Sequence, residues 1–343
     1  MDVRPLPEWQ ALLDHAIARP GAVLVLGGTD TGKSTLCRWL LVALAEAGRP
    51  GLLLDADVGQ SASGLPGSVC LSRVHSDGGV TRHAAVFVGS TTPHGHVLPH
   101  LAAVVLAAKA ASGAERIVVD TTGFVHGPEA WQLKLRKAQV IGPTIVAGVQ
   151  TDGDVEHLLA PLEGAKGVEV VRLPVSPAVA RRSPEQRKAY REGCFRTALA
   201  GAGEARFLPR QARLRGMGLG AGRPIEGGEL ETLSLRLGCE VWYAEASREA
   251  LVVATQGVIC VTDLGQAREE VRAAACITVD VLSLRNRLVG LVDAGGYLAA
   301  IGVLERVERG GEAVVRARVP AGADVRWIDL GALRLSPAGE ELA

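Results

Sequence analysis

The stretch GGTDTGKST, Gly27 to Thr35, constrains this chain more than any other part of it. It sits between the apolar run AVLVLG (22–27) and a helical pattern beginning at Lys33. In that strand–loop–helix setting, glycines let backbone N–H groups curl around phosphate oxygens, and the helix N-terminus adds its positive end. Gly28, Thr29, Asp30, Thr31, Gly32, Lys33, Ser34 and Thr35 therefore read as a loop for the phosphates of a nucleoside triphosphate, ATP or GTP. In such a loop Lys33 reaches the β- and γ-phosphates and the Ser34 hydroxyl ligates Mg2+.

Around this loop apolar runs alternate with helical patterns. Strands are expected at 22–27, 51–55, 84–89, 116–120, 144–150 and 167–173, and helices near 33–47, 97–112, 129–138 and 153–160. Several strands are apolar throughout, as when helices cover both faces of a parallel sheet. The fold class is α/β: a P-loop NTPase, doubly wound parallel sheet with an Arg-rich lid and a C-terminal β-rich domain. An N-terminal helix is expected in 1–20 and the P-loop domain in 21–200, its lid at about 176–200. A Gly-, Pro- and Arg-rich linker should follow at 201–228, and the β-rich domain at 229–343 should contain strand-like ETLSLRL, ALVVAT, GVICVTD, CITVDVLSL, LVGLVD, YLAAIGVLE and AVVRARV.

Composition removes several function classes. Lys plus Arg equals Asp plus Glu at 37 each, so any basic surface is local. Six cysteines (Cys37, Cys70, Cys194, Cys239, Cys260, Cys276) form no C-x-x-C pair, which disfavours zinc sites and disulfide frameworks. The sequence shows neither a leader-like apolar core at its start nor a membrane-length apolar run, so no membrane association and a cytoplasmic location are expected.

Three strand ends carry further candidate chemistry. In LLLDADVGQS, Asp55 and Asp57 flank one alanine, and in extended chain both carboxylates point the same way. One can hold magnesium through water while the other takes a proton from an attacking hydroxyl. RIVVDTTGFVHG offers Asp120 as a second magnesium or water organiser, with Thr121 and Thr122 as hydrogen-bond donors to phosphate. Arg182, Arg187 and Arg191, with Arg181 and Lys188, recur near helical spacing, as in a lid that neutralises a transferring phosphoryl group. His94, His96 and His100 lack companion ligands and read as a loop beside the site. Lys134, Arg136 and Lys137 near Trp131 read as a solvated face and core anchor, with single-strand binding as the functional alternative.

Taken in order, GGTDTGKSTLCRWLL, DADVGQSASGLPGSV, FVGSTTPHG, VVDTTGFVHGPEAWQLKLRKAQVIGPT and RRSPEQRKAYRE resemble the polyribonucleotide 5′-hydroxyl kinases. That family includes the RNA kinases of pre-mRNA cleavage and of ribosomal RNA processing. The resemblance covers about residues 22–200, and LVGLVDAGGYLAAIGVLE and IDLGALRLSPAGEEL look like its C-terminal domain. It implies Asp57 as general base, Asp55 and Ser34 as magnesium organisers, Lys33 on phosphate, Thr121 in a clasp over that lysine, and Arg187 and Arg191 as the lid pair. It also implies an acceptor that is the 5′-OH end of RNA or DNA, with protein partners unspecified. Phe124 stands where the clasp aromatic is commonly Trp, and one helix stands where eukaryotic members have an N-terminal domain. Two other classes remain open: a switch GTPase or ATPase, since VVDTTG resembles a D-x-x-G switch, and a catalytically silent nucleic-acid adaptor.

Overall fold

A computed structural model describes residues 5–257 and 261–342. The chain divides into two compact units, Met1–Cys194 and Phe195–Ala343.

The first unit opens with α1 (Pro7–Ala18), followed by β1 (Gly21–Gly27), α2 (Lys33–Glu46), β2 (Leu52–Ala56), β3 (Ser68–Val74) and β4 (Val80–Phe87). Then come α3 (Val97–Ala110), β5 (Arg116–Thr121), α4 (Pro128–Ile141), β6 (Ile145–Gln150), α5 (Glu156–Leu159), β7 (Glu169–Pro174) and α6 (Pro184–Leu199), within which the unit boundary falls. The strands form one sheet in the order β4-β3-β2-β5-β1-β6-β7. From β2 to β7 all pairs are parallel, whereas β3 pairs antiparallel with both β2 and β4. The doubly wound expectation thus holds, with an antiparallel pair added at one edge. Strand β3 escapes a reading of apolar runs because Ser68 and Ser72 are fully buried within it.

Alternation within these strands builds the core. Val23, Val25, Leu53, Val118, Ala147 and Val149 pack with Trp9, Leu12, Leu13, Leu36, Leu40 and Leu44 of α1 and α2. Arg116 fastens α1 to the sheet, its guanidinium donating to the carbonyls of Ala16 and Ile17.

The second unit holds two sheets. One has the order β8-β16-β15-β14-β17-β9, built from β8 (Gly203–Phe207), β9 (Arg213–Arg215), β14 (Arg287–Val292), β15 (Leu298–Val307), β16 (Ala313–Ala317) and β17 (Trp327–Arg334). The other, in the order β10-β11-β12-β13, comprises β10 (Arg223–Pro224), β11 (Val241–Ala246), β12 (Ala250–Thr255) and β13 (Ala275–Asp280), accompanied by α7 (Gly228–Leu237) and α8 (Val261–Glu270). Residues 201–228, expected as a linker, instead supply three strands. Their Gly-rich turn is pinned by the buried Glu245, whose Oε1 accepts from Gly220 N at 2.7 Å and Ala221 N at 3.1 Å. ETLSLRL, expected as a strand, lies in α7. Leu230, Leu233 and Leu237 are buried at helical spacing, Leu235 is 83% exposed, and Gly238 with φ 58° closes the helix in the left-handed region. Of GVICVTD, residues 258–260 with Cys260 lie outside the described residues, and Val261–Asp263 opens α8 rather than a strand. Among the described residues no helix is long and apolar enough to cross a membrane.

Candidate active site

Because β2, β5 and β1 run parallel side by side, their C-terminal ends deliver Asp55, Asp120 and the Gly27–Thr35 loop to one edge of the sheet. Asp55 and Asp120 are register partners across β2 and β5. The loop turns through Asp30 (φ 54°) and Gly32 (φ 85°) before Lys33 starts α2. Lys33 is buried, its Nζ 2.5 Å from Gly28 O and 3.5 Å from Thr31 Oγ1. Gly123 lets the segment after β5 lie against this loop. A Cβ there would come 2.6 Å from Thr29 Cα and 2.7 Å from Thr29 N, far inside contact distance. Thr121 is buried and its hydroxyl donates to Val25 O at 2.8 Å, bracing β1 against β5, and among the described residues no hydrogen bond joins it to Lys33.

The carboxylates differ sharply in surroundings. Asp55 Oδ2 accepts from Ser61 Oγ and Ser63 N, both at 2.7 Å, and Oδ1 accepts from Asp57 N at 3.1 Å. Burial pushes its pKa to about 6, helped by the Asp57 charge and opposed by those hydrogen bonds. Asp57 is partly exposed, and its Oδ1 accepts from Gly59 N and Gln60 N, both at 2.9 Å. That leaves Oδ2 free of hydrogen bonds among the described residues. Asp120 is fully buried and neither oxygen has a hydrogen-bond partner of ordinary geometry. Burial, then the charges of Asp55 and Asp57, push it to about 7, against the Ser34 hydroxyl and the Lys33 ammonium.

The arginine segment folds onto the same edge. Arg187 Nη2 reaches Asp30 Oδ2 at 2.6 Å, and Arg182 donates its backbone N–H to that oxygen at 3.0 Å. Burial works against ionisation of Asp30, but these two donors outweigh it and hold the carboxyl below its ordinary value. Arg182 Nη1 also meets Gln60 Oε1 at 3.4 Å, and the Tyr190 hydroxyl donates to Ser61 O at 2.8 Å. Arg191 lies one turn further along α6, half-buried. The lid helix is therefore joined both to the phosphate loop and to the turn that carries Asp57.

The three histidines do not converge. His94 is exposed and pairs with Glu129 at 3.0 Å, His96 stands at the N-cap position of α3 without a side-chain capping bond, and His100 is fully buried. Among the described residues no group of three His, Cys, Asp or Glu is placed to hold a metal by itself. The basic side chains of α4 also part company. Trp131 is 44% exposed, whereas Lys134 and Lys137 are fully buried, so they share no strand-binding face. Lys134 Nζ lies 2.5 Å from Thr122 O, and Lys137 Nζ lies 3.0 Å from His100 Nε2. Burial drives Lys134 well below its ordinary pKa and Lys137 down to about 7, the latter partly offset by Asp57, Asp120 and Asp55. A signal for this was present: Ala130, Leu133, Lys134, Lys137 and Ala138 form one inward stripe at helical spacing.

Fold and loop together define a P-loop protein, with the carboxylates of β2 and β5 at the same edge of the sheet as the loop. The chain belongs to the family described as mRNA cleavage and polyadenylation factor CLP1 P-loop, whose model matches residues 27–199. It is 29% identical to the polyribonucleotide 5′-hydroxyl-kinase of Thermococcus kodakarensis, over 98% of this chain and 95% of that protein. It is 26% identical to the enzyme of the same name from Pyrococcus horikoshii, over 95% and 89%. The CLP1 homolog of Drosophila yakuba is 30% identical over 54% of this chain and 47% of its own. Among solved structures, a chain of the wild-type Clp1p–Pcf11p complex shares the fold with a TM-score of 0.60 at 11% identity, covering 95% of this chain and 78% of that one.

Proposed function

We propose that the protein is a polynucleotide 5′-hydroxyl kinase, moving the γ-phosphoryl of ATP or GTP to the 5′-OH end of RNA, with DNA ends as a second acceptor. The observation that carries the mechanism is Asp57. Its Oδ1 is tied to two backbone N–H groups while Oδ2 is left to act, in a turn whose Gln60 and Ser61 meet Arg182 and Tyr190 of the arginine segment. Asp57 Oδ2 takes the proton of the acceptor hydroxyl, whose oxygen attacks the γ-phosphorus in line as the bond to the β–γ bridging oxygen breaks. Lys33 and the N–H groups of Gly28–Thr35 hold the phosphates. Arg187 and Arg191 offset charge on the phosphoryl in flight, and Asp30 sets the direction of Arg187.

The donor set suits a hard divalent cation. Ser34 and Asp120 offer oxygen, Asp55 lies opposite Asp120 in register, and a buried carboxylate without partners is well matched to Mg2+. Ser34 and Asp120 would hold the ion, with Asp55 behind them through water. When bound, it neutralises charge on the phosphate oxygens.

The test is a matrix of 5′-OH RNA and DNA oligonucleotides against the nucleoside triphosphates with Mg2+ present. Wild type should label RNA ends, and Lys33→Ala and Asp57→Asn should fall to background. Wild type no better than Lys33→Ala on every combination overturns the reading.

A further inference from the structure

Strands β2 and β5 stay paired through Ala56 and Thr121, the last register partners of their ladder. Asp57 and Thr122 lie just beyond it, where no strand pairing fixes the backbone. The two carbonyls at that frontier are each captured by a buried basic side chain. Thr122 O accepts from Lys134 Nζ at 2.5 Å, with Thr122 Oγ1 at 3.3 Å from the same nitrogen. Ala56 O lies 3.0 Å from His100 Nε2 and accepts from it in the tautomer that carries the proton there, and Lys137 Nζ, 3.0 Å from the same ring atom, can then meet that N–H only as a neutral amine.

All three side chains are sealed from solvent. A lysine taken out of water costs several kcal/mol as the ammonium or must give up its proton to escape that cost, and apolar side chains of the same volume would fill a core more favourably. Neither lysine forms an ion pair among the described residues. Their visible partners are a backbone carbonyl, a hydroxyl and an imidazole, which fix direction rather than cancel charge.

We propose that Lys134, Lys137 and His100 are positioning residues for phosphoryl transfer, a clamp from α3 and α4 that fixes the carboxylate-bearing ends of β2 and β5 relative to each other. His100, backed by Lys137, holds the carbonyl between Asp55 and Asp57. Lys134 holds the carbonyl two residues beyond Asp120. The clamp acts where the ladder stops, and an error of about 1 Å at such a position costs on the order of 100-fold in rate. The assignment to transfer rests on the kinase reading; the clamp itself does not.

The test uses the full chain with Lys134→Met, Lys137→Met, His100→Leu and His100→Gln, and with Lys109→Met on the exposed side of α3 as a control. Amide hydrogen exchange is followed without nucleotide, and kcat and KM with a 5′-OH oligonucleotide. We expect exchange at 121–124 to quicken in Lys134→Met and at 56–60 in Lys137→Met and His100→Leu. Meanwhile kcat should fall about 10- to 100-fold, with nucleotide KM and unfolding temperature near wild type. His100→Gln, which keeps an N–H donor for Ala56 O, should recover most of the loss. Exchange and kcat matching Lys109→Met overturn the proposal. So does loss of kcat only in step with faster exchange throughout the first unit, which marks a general packing role. Should wild type transfer no phosphate, the kinase reading fails, while local exchange still decides the clamp.

Discussion

Asp120 in the first unit and Glu245 in the second are both sealed from solvent, yet they live under opposite rules. Glu245 accepts from Gly220 N, Ala221 N, the Tyr243 hydroxyl at 2.9 Å and Arg213 Nη2 at 3.3 Å. Asp120 accepts from nothing of ordinary geometry and faces two more carboxylates. A buried charge with all its partners is part of the architecture: it converts a glycine-rich stretch into the bend between β9 and β10. One without partners is held against its own solvation, and its place beside a phosphate loop is why a role in the reaction is proposed for it.

The contrast predicts opposite consequences of removal. Glu245→Ala takes the acceptor from Gly220 N, Ala221 N and the Tyr243 hydroxyl and the counter-charge from Arg213, which keeps Gly222 O, and should destabilise the second unit by about 3–5 kcal/mol. Denaturant unfolding measures this, and a loss below about 1 kcal/mol breaks the architectural reading. Asp120→Asn should do the reverse, leaving folding unharmed or slightly improved while phosphoryl transfer drops about 100- to 1,000-fold. Full activity in Asp120→Asn, or a collapse of its stability, would place Asp120 in the same class as Glu245.

Acid–base behaviour sharpens the comparison. Folded-state values of about 7 for Asp120 and about 6 for Asp55 lie above the ordinary 3.8. Between about pH 4 and 7 the native protein then holds protons that the unfolded chain has lost, so these groups' stability is full below pH 4 and drains away as pH rises to 7. Lys137, brought down to about 7 from 10.5, acts in the opposite sense above neutrality, where the native state has already given up its proton and stability climbs with pH. Without nucleotide or metal, the unfolding temperature of the first unit should pass through a minimum near pH 7. In Asp120→Asn its falling limb should flatten by about 10 °C. An unchanged falling limb in that variant would show that Asp120 does not titrate in this window.

Legibility divides along the same line. The phosphate loop, Asp55, Asp57, Asp120 and the lid arginines stood out because the chemistry proposed for them demands particular residues at strand ends and at fixed spacing. The structure gathers them except that Asp55 and Thr121 spend their hydrogen bonds on the scaffold. Lys134 and Lys137 were hidden by the rule that charged side chains on a helix face water. That rule fails where an inward ammonium finds a carbonyl at the end of a ladder. The strands of 201–228 were hidden because glycine and arginine carry no apolar period. Their place depends on Glu245, some twenty residues ahead in sequence.

The smallest effect separates helix from strand in α7. Leu233 and Leu235 alternate in ETLSLRL, and on a strand they would share one face and cost alike when shortened. On the helix Leu233 is buried against Leu237 and Val241 in one cluster, while Leu235 is 83% exposed. Leu233→Ala should therefore lose about 2–3 kcal/mol, whereas Leu235→Ala should stay within about 0.5 kcal/mol of wild type. Equal losses would restore the strand. Unequal ones bear out the helix, closed by Gly238 in the left-handed region, over a pattern that reads as period two.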